Sequence, residues 1–359
     1  MNSNKRFHAL DAFRGFAAVL VFLYHMPNKS WLTANAFVSN SGLFVDLFFI
    51  LSGFVIYHNY KDRLNDLTSR TTFIVNRLKR LLPLHYYTLF VLIALEMFKY
   101  VTYNPGAYSN PPFSINTFNT LYPQLFVLNA TPLFVDFSWN FPNWSISAEI
   151  ISYLLFVSAS LWCFGKKQLT VITAVTFIII GYLFFYLKYG QFNLVIDFGY
   201  SFMRACIGFY IGIVVYVLRD SLATLLPSIS KNTYTVLEFI SIVLVVIATI
   251  NVDLIAKNYY YIMHIVFALL IFVFSIEKGI LSHILKSKIF QKLGAWSYSI
   301  YLNQVLIIII YNKMVLKAFP NSSGLAVVFE LLTTVILCYY SYLTYTYIEK
   351  RFYKKLDKS

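Results

Sequence analysis

Residues 169–188 read LTVITAVTFIIIGYLFFYLK, twenty positions with one charge, Lys188, at the far end. Twenty residues of α-helix rise about 30 Å, the thickness of a bilayer's hydrocarbon core. The stretch does not alternate polar with apolar positions, so it is no membrane-barrel strand. Nine further apolar runs lie at 9–27, 42–60, 81–99, 144–163, 199–218, 235–251, 259–276, 295–316 and 324–347. Composition agrees, because only 12% of the 359 residues are charged and 59% are hydrophobic. A soluble domain is roughly one-quarter charged, so this chain could not coat itself with a water-facing surface. The expectation is an all-α integral membrane protein of about ten transmembrane helices. Residues 1–350 would form one membrane domain and 351–359 a short basic tail. No small-residue cleavage pattern follows the first run, which is expected to stay as a span rather than leave as a signal peptide.

Net charge is +14, from 29 Lys and Arg against 15 Asp and Glu. Such an excess suits either nucleic acid or basic cytoplasmic loops, and its distribution decides. Alternate segments between the runs hold 21 of the basic residues, among them Lys61 to Arg80, Lys166–Lys167, Lys278 to Lys292 and Lys350 to Lys358. The intervening segments hold six: Lys29, Lys99, Lys188, Lys257, Lys313 and Lys317. The positive-inside rule then puts both termini in the cytoplasm and explains the charge with no nucleic-acid partner. Cys163, Cys206 and Cys338 each stand alone in apolar sequence, so they read as free thiols rather than disulfide or metal ligands. Residues 100–143 form a long outer loop with one charge, Asp136, and many Asn, Pro and aromatic residues. That composition suits either a carbohydrate-binding surface or a cap-like structural segment.

Ionisable groups inside spans are costly and therefore candidates for function. LDAFRGFAAVLVFLYH (10–25) sets Arg14 and His25 eleven residues apart, three turns plus about 20°, on one stripe roughly 16 Å long. Arginine forks onto phosphate and histidine exchanges a proton near neutral pH. The plainer reading is a snorkelling Arg14 and a hydrogen-bonded interface His25. GLFVDLFFILSGFVI (42–56) carries Asp46 near its outer end, with Ser52 expected to bond its own backbone and Gly53 to permit close helix approach. In VNRLKRLLPLHYY (75–87) Arg77 and Arg80 share a helix face, suited to a cofactor's phosphates or to simple anchoring. PNWSISAEI (142–150) puts Trp144 at the outer surface and Glu149 at the depth expected for His25, where a carboxylate would orient the imidazole. Arg204, in SFMRACIGFYIG, needs a partner; Glu149, Asp46 and Glu330 are the candidates and a structural ion pair is the expected outcome. His58, His85 and His264 read as structural.

In order along the chain, Arg14…His25, FFILSGF (48–54), RLKRLLP (77–83), WSISAE (144–149), RACIGFYIG (204–212) and SYSIYL (297–302) resemble the acyltransferase-3 family of membrane acyltransferases over essentially the whole length. The resemblance implies ten helices in a bacterial cytoplasmic membrane and transfer of an acyl group, usually acetyl, from cytoplasmic acyl-CoA. The acceptor it implies is often a sugar hydroxyl on a glycan or lipid-linked sugar. Acetyl-CoA is then a co-substrate, with no bound cofactor. His25 becomes the catalytic base or acyl-transfer residue, with Arg14 and Glu149 as its catalytic partners, and Arg14 together with Arg77 and Arg80 becomes a donor contact. Asp46, Ser52, Trp144 and Arg204 become acceptor or support positions. Two departures stand out: Asn303-Gln304 replaces a histidine usual after SYSIYL, and YIEKRF lacks the proline relatives place after the glutamate. No esterase-like domain follows, so later acyl handling is expected from another protein. The alternative is a transporter or flippase for a glycan or small molecule, since buried charges also line permeation routes.

Overall fold

The computed structural model describes residues 6–27, 29–105, 110–134, 137–225, 228–255, 260–316 and 323–353. Every one of the ten apolar runs lies on a helix. Ten helices of fourteen or more residues are found among the described residues. They are α1 (His8–His25), α2 (Phe44–Tyr60), α3 (Leu67–Val101), α4 (Asn143–Cys163), α5 (Lys167–Tyr189), α6 (Ser201–Ser221), α7 (Lys231–Ile250), α8 (Tyr261–Phe274), α9 (Lys288–Tyr311) and α10 (Ser323–Thr344). Eight of them are long and apolar enough to cross a membrane, α1 and α8 being the exceptions. The chain is an all-α integral membrane protein.

The two exceptions have different causes. At fourteen residues α8 spans only about 21 Å. α1 is long enough, but Arg14 and His25 lower its hydropathy. It tolerates them because it faces protein: Ala9, Ala12, Ala17, Ala18, Val21 and Phe22 are fully buried. α1 runs along α9, and α2 runs along α6. Both pairs meet through glycine. A Cβ on Gly53 would lie 1.8 Å from the Phe209 carbonyl oxygen, and one on Gly212 2.0 Å from that of Ile50. On the α1–α9 seam a Cβ on Gly294 would lie 2.2 Å from the Asp11 carbonyl oxygen. Small residues at such crossings let backbones touch, which is how helices gain packing energy in lipid.

α3 corrects the sequence expectation of a basic loop followed by a span at 81–99. It is one helix of 35 residues, about 52 Å long, so its first turns project beyond the hydrocarbon region. A reciprocal capping box starts it: the Ser69 N–H donates to Asp66 Oδ1 at 2.7 Å and the Asp66 N–H donates to Ser69 Oγ at 3.2 Å. Arg70, Arg77 and Arg80 are therefore held on a rigid rod rather than a loop. Pro83 lies inside it.

The segment between α3 and α4 folds back as a cap. Four amides turn inward, Gln124, Asn129, Asn140 and Asn143 being buried, while Asn104, Asn110 and Asn119 stay exposed. Asn140 Nδ2 donates to Thr88 Oγ1 at 3.0 Å and to the Leu302 carbonyl at 3.3 Å. Asn143 Nδ2 donates to Gln124 Oε1 and Asn129 Oδ1, each at 3.0 Å. His85 Nε2 lies 2.8 Å from the Gln124 carbonyl and pins the cap to α3. These amides staple the loop to the bundle. Asp136 lies outside the described residues.

Candidate active site

Three cavities lie end to end through the bundle. The first, 40 Å³, opens at the end that carries most Lys and Arg and is lined by Arg14, Arg77, Arg80, Ser52, Glu149, Tyr153 and Tyr298. The second, 50 Å³, shares Arg14, Glu149 and Tyr298 with it and adds Ser145, Ser297 and Tyr301. The third is a vestibule of 570 Å³ at the opposite end. It shares Val45 and Tyr301 with the second and carries His25, Tyr24, Phe137, Phe141, Trp144 and Arg204 in its wall. Arg14 and His25, one stripe in the sequence, thus face successive chambers of one route.

In the vestibule, His25 is partly exposed, and its Nδ1 lies 2.7 Å from the Val21 carbonyl oxygen. A carbonyl only accepts, so Nδ1 carries the hydrogen and Nε2 keeps its lone pair. That is the tautomer a general base requires, set by α1's own backbone. Phe141 of the cap packs on the ring with centroids 4.6 Å apart, and Tyr24 lies at 4.7 Å. Gln304 of α9 also reaches the ring. It is fully buried, its Nε2 donates to the Tyr301 carbonyl at 2.8 Å, and its Oε1 has no hydrogen-bond partner. Gln304 stands where relatives usually carry a second imidazole, and the structure sets it beside the first.

Glu149 is not the residue that orients His25. Ser52 Oγ donates to Glu149 Oε1 at 2.7 Å, and the Tyr153 hydroxyl donates a very short bond to the same oxygen. This also corrects Ser52, which was expected to bond its own backbone. Glu149 lies among the arginines and bears electrostatically on Arg14, as does Arg80. Arg77 lies over the Tyr60 and Phe73 rings at 5.6 and 5.8 Å and donates from Nη2 to the Tyr60 hydroxyl at 3.3 Å. Its Nε is buried with no hydrogen-bond partner, a donor available to an incoming anion. A second acid escaped the sequence reading. Glu349, in the π-helical turn Tyr345–Glu349 after α10, accepts from Ser299 Oγ at 2.9 Å and faces Arg80 and Arg14. Its signal was visible, an acid at the end of an apolar run in YIEKRF.

Arg204 and Asp46 form the expected ion pair. Arg204 Nε and Nη2 fork onto Asp46 Oδ1 and Oδ2 at 2.7 and 3.0 Å, and the Tyr260 hydroxyl donates to Oδ2 at 2.5 Å. His264 Nε2 stands 3.7 Å from the same carboxylate. Trp144 sits against this group, with the guanidinium 5.5 Å from its ring. Glu330 is engaged elsewhere: Thr33 Oγ1 donates to it at 2.9 Å and Ser30 Oγ through a shorter bond. Cys163, Cys206 and Cys338 are free thiols. Among the described residues no cluster of His, Cys, Asp or Glu has metal-binding geometry.

Comparison with known proteins bears on the chemistry. The family described as an acyltransferase domain, acyltransferase 3, matches residues 7–343. "Acyltransferase MdmB" of Streptomyces mycarofaciens is 29% identical over 162 residues, 42% of this chain and 38% of that protein. "Protein 2 in picA locus" of Rhizobium radiobacter is 37% identical over 98 residues, 27% of this chain and 49% of that protein. The chain therefore spans less than half the length of either relative. No solved structure matches it.

Proposed function

This chain belongs to the acyltransferase-3 family, and on that premise we propose that it moves an acetyl group from cytoplasmic acetyl-CoA to a sugar hydroxyl presented at the far side of the membrane. The observation that supports this reading is the row of three neighbouring cavities, each sharing wall residues with the next, between the arginines and His25. Acyl-CoA brings its diphosphate to Arg77, Arg80 and Arg14, which bind anions by charge and by paired donors. The wide vestibule, walled by Tyr24, Phe137, Phe141 and Trp144, offers rings for a sugar's apolar faces.

At the junction His25 Nε2 removes the acceptor hydroxyl's proton as that oxygen attacks the thioester carbonyl. The new C–O bond forms, the C–S bond breaks, and the CoA thiolate leaves toward the basic end. Val21 holds the ring's tautomer through this step. Ser52, with Glu149 as its base, is geometrically a nucleophile, but it lies with the arginines and away from the vestibule that would deliver an acceptor.

The test is CoA release by the purified protein in lipid nanodiscs, supplied with acetyl-CoA and a candidate glycan. His25→Ala should abolish release while the protein still inserts and melts at the wild-type temperature. Full activity in that variant would sink the proposal, and glycan transport without CoA release would favour a transporter instead. Mass spectrometry of the surface glycan with and without the protein identifies both the acyl group and the acceptor.

A further inference from the structure

A fourth cavity, about 120 Å³, lies off this route. It opens at the basic end between α2, α4, α5 and α6. Its inner wall is aromatic, with Tyr57, Phe156 and Tyr210. Tyr210 is 2% exposed and stacks flat on Phe177, centroids 4.4 Å apart. Its hydroxyl is buried and has no hydrogen-bond partner. A buried hydroxyl left unpaired is unfavourable, and this one belongs to a residue of the cavity wall. A lipid tail would leave it unpaired, whereas a nitrogen heterocycle would satisfy it.

The mouth is basic. α5 starts here, after Gly165 at φ +70° and Lys166 at the N-cap, with no side-chain cap and no acid in its first turn. The first N–H groups of a helix lack intrahelical partners and carry the positive end of its dipole. Lysines at 166 and 167 add to that positive end instead of offsetting it, the arrangement that suits a bound phosphate. Lys61 lies in the same wall, and on its rim Arg70 Nε donates to Ser160 Oγ at 3.0 Å. The acids at the mouth are engaged, Asp62 with Lys61 and Asp220 with Lys167, each at 3.2 Å. Tyr60 also lines this cavity, and its hydroxyl accepts from Arg77. One ring thus separates the cavity from the arginine end of the route.

We propose that this cavity seats the nucleotide end of the acyl-CoA donor, base on the aromatic wall and the ribose 3′-phosphate at Lys61, Lys166 and the α5 N-terminus, the diphosphate being left to the arginines. The arm then turns past Tyr60 to Arg77 and enters the first chamber. The inference rests on the acyl-CoA reading above and adds a second anchor to it, separate from the reacting end.

The test measures binding of three probes to the full chain in phosphatidylcholine nanodiscs: acetyl-CoA, its 3′-dephospho form and S-acetylpantetheine, which has the arm alone. Lys166→Glu with Lys167→Glu should weaken acetyl-CoA by about tenfold or more, the scale of one or two charge-assisted hydrogen bonds, and leave S-acetylpantetheine unchanged. Tyr210→Phe, which removes one oxygen, should weaken acetyl-CoA by about two- to tenfold. Unchanged affinity in both variants, with wild-type binding intact, overturns this inference and leaves the proposed function standing. A wild type that binds no acetyl-CoA removes the donor reading itself. If the lysine variants alter only the response to added anionic lipid, the cavity is a headgroup site and the inference is overturned.

Discussion

Asp46→Ala tests whether the buried pair in the vestibule wall is architecture or acceptor chemistry. Asp46 is fully buried and Arg204 is 3% exposed. Two unit charges about 4 Å apart attract by about 4 kcal/mol at an effective dielectric of 20. Removing one partner also strands the other: Arg204 would keep a buried charge, and the Tyr260 hydroxyl would lose the acceptor it holds at 2.5 Å. Breaking such a pair costs about 3–5 kcal/mol, while replacing both partners with apolar groups of similar size is often neutral. Denaturation of purified protein in detergent micelles should therefore show Asp46→Ala and Arg204→Met each strongly destabilised. Asp46→Leu with Arg204→Met should return close to the wild-type midpoint, a coupling far outside additivity. The double variant should also keep CoA release within about tenfold of wild type, since catalytic losses of whole reacting groups are far larger. A single variant as stable as wild type, or a double variant whose loss equals the sum of the singles, would refute the reasoning. A stable double variant with no transfer would instead make Arg204 an acceptor contact.

Gly53→Leu forces a Cβ to within 1.8 Å of the Phe209 carbonyl oxygen and should abolish folded protein by fluorescence-detected size exclusion, whereas Gly190→Ala, whose Cβ meets nothing within 4 Å, should be mild despite its φ of +68°. Gln304→Leu removes the polar group beside His25 and should lower kcat by about tenfold, one misplaced catalytic contact, with KM for acetyl-CoA little changed; a pure KM effect would place Gln304 with donor binding instead. The Ser69 N–H holds the Asp66 carboxyl below the usual carboxylate range, so this cap stabilises α3 above the ordinary carboxylate pKa and is lost as pH falls through the depressed value. Protection of the amides at the start of α3, taken as exchange relative to the intrinsic rate at each pH, should fall in acid for wild type and stay level for Asp66→Asn, which keeps the cap without titrating.

Much of the fold was legible because its signals are local. LTVITAVTFIIIGYLFFYLK becomes α5 since twenty apolar residues leave the backbone no partner in lipid except itself. The same rule underrated α1, whose Arg14 and His25 are bearable only because α9 and α2 surround it, a fact no window of its own sequence contains. α3 was cut short for a related reason. Arg77, Lys79 and Arg80 look like a loop to a hydropathy window, yet Asp66 and Ser69 form a readable helix start eleven residues upstream of Arg77.

Glu149 shows where the reading of the site failed. Its depth was counted from the first residue of α4, as though every span began at the membrane surface. α4 instead begins beneath the cap, where Asn143, Trp144 and Ser145 are already buried. A turn and a half further along, Glu149 lines the two cavities that Arg14 lines and not the vestibule of His25. Asn143 ties the start of this helix to Gln124 and Asn129 of the cap. The place of Glu149 has a chemical consequence. With Glu149 committed to Ser52 and Tyr153, no carboxylate partner to the His25 imidazole is found among the described residues, and its polar neighbours are the Val21 carbonyl and Gln304. The imidazolium formed during transfer would then be held by neutral dipoles and not by a buried anion. Such a base has no ion pair to retain its proton, which favours handing it on to the departing thiolate.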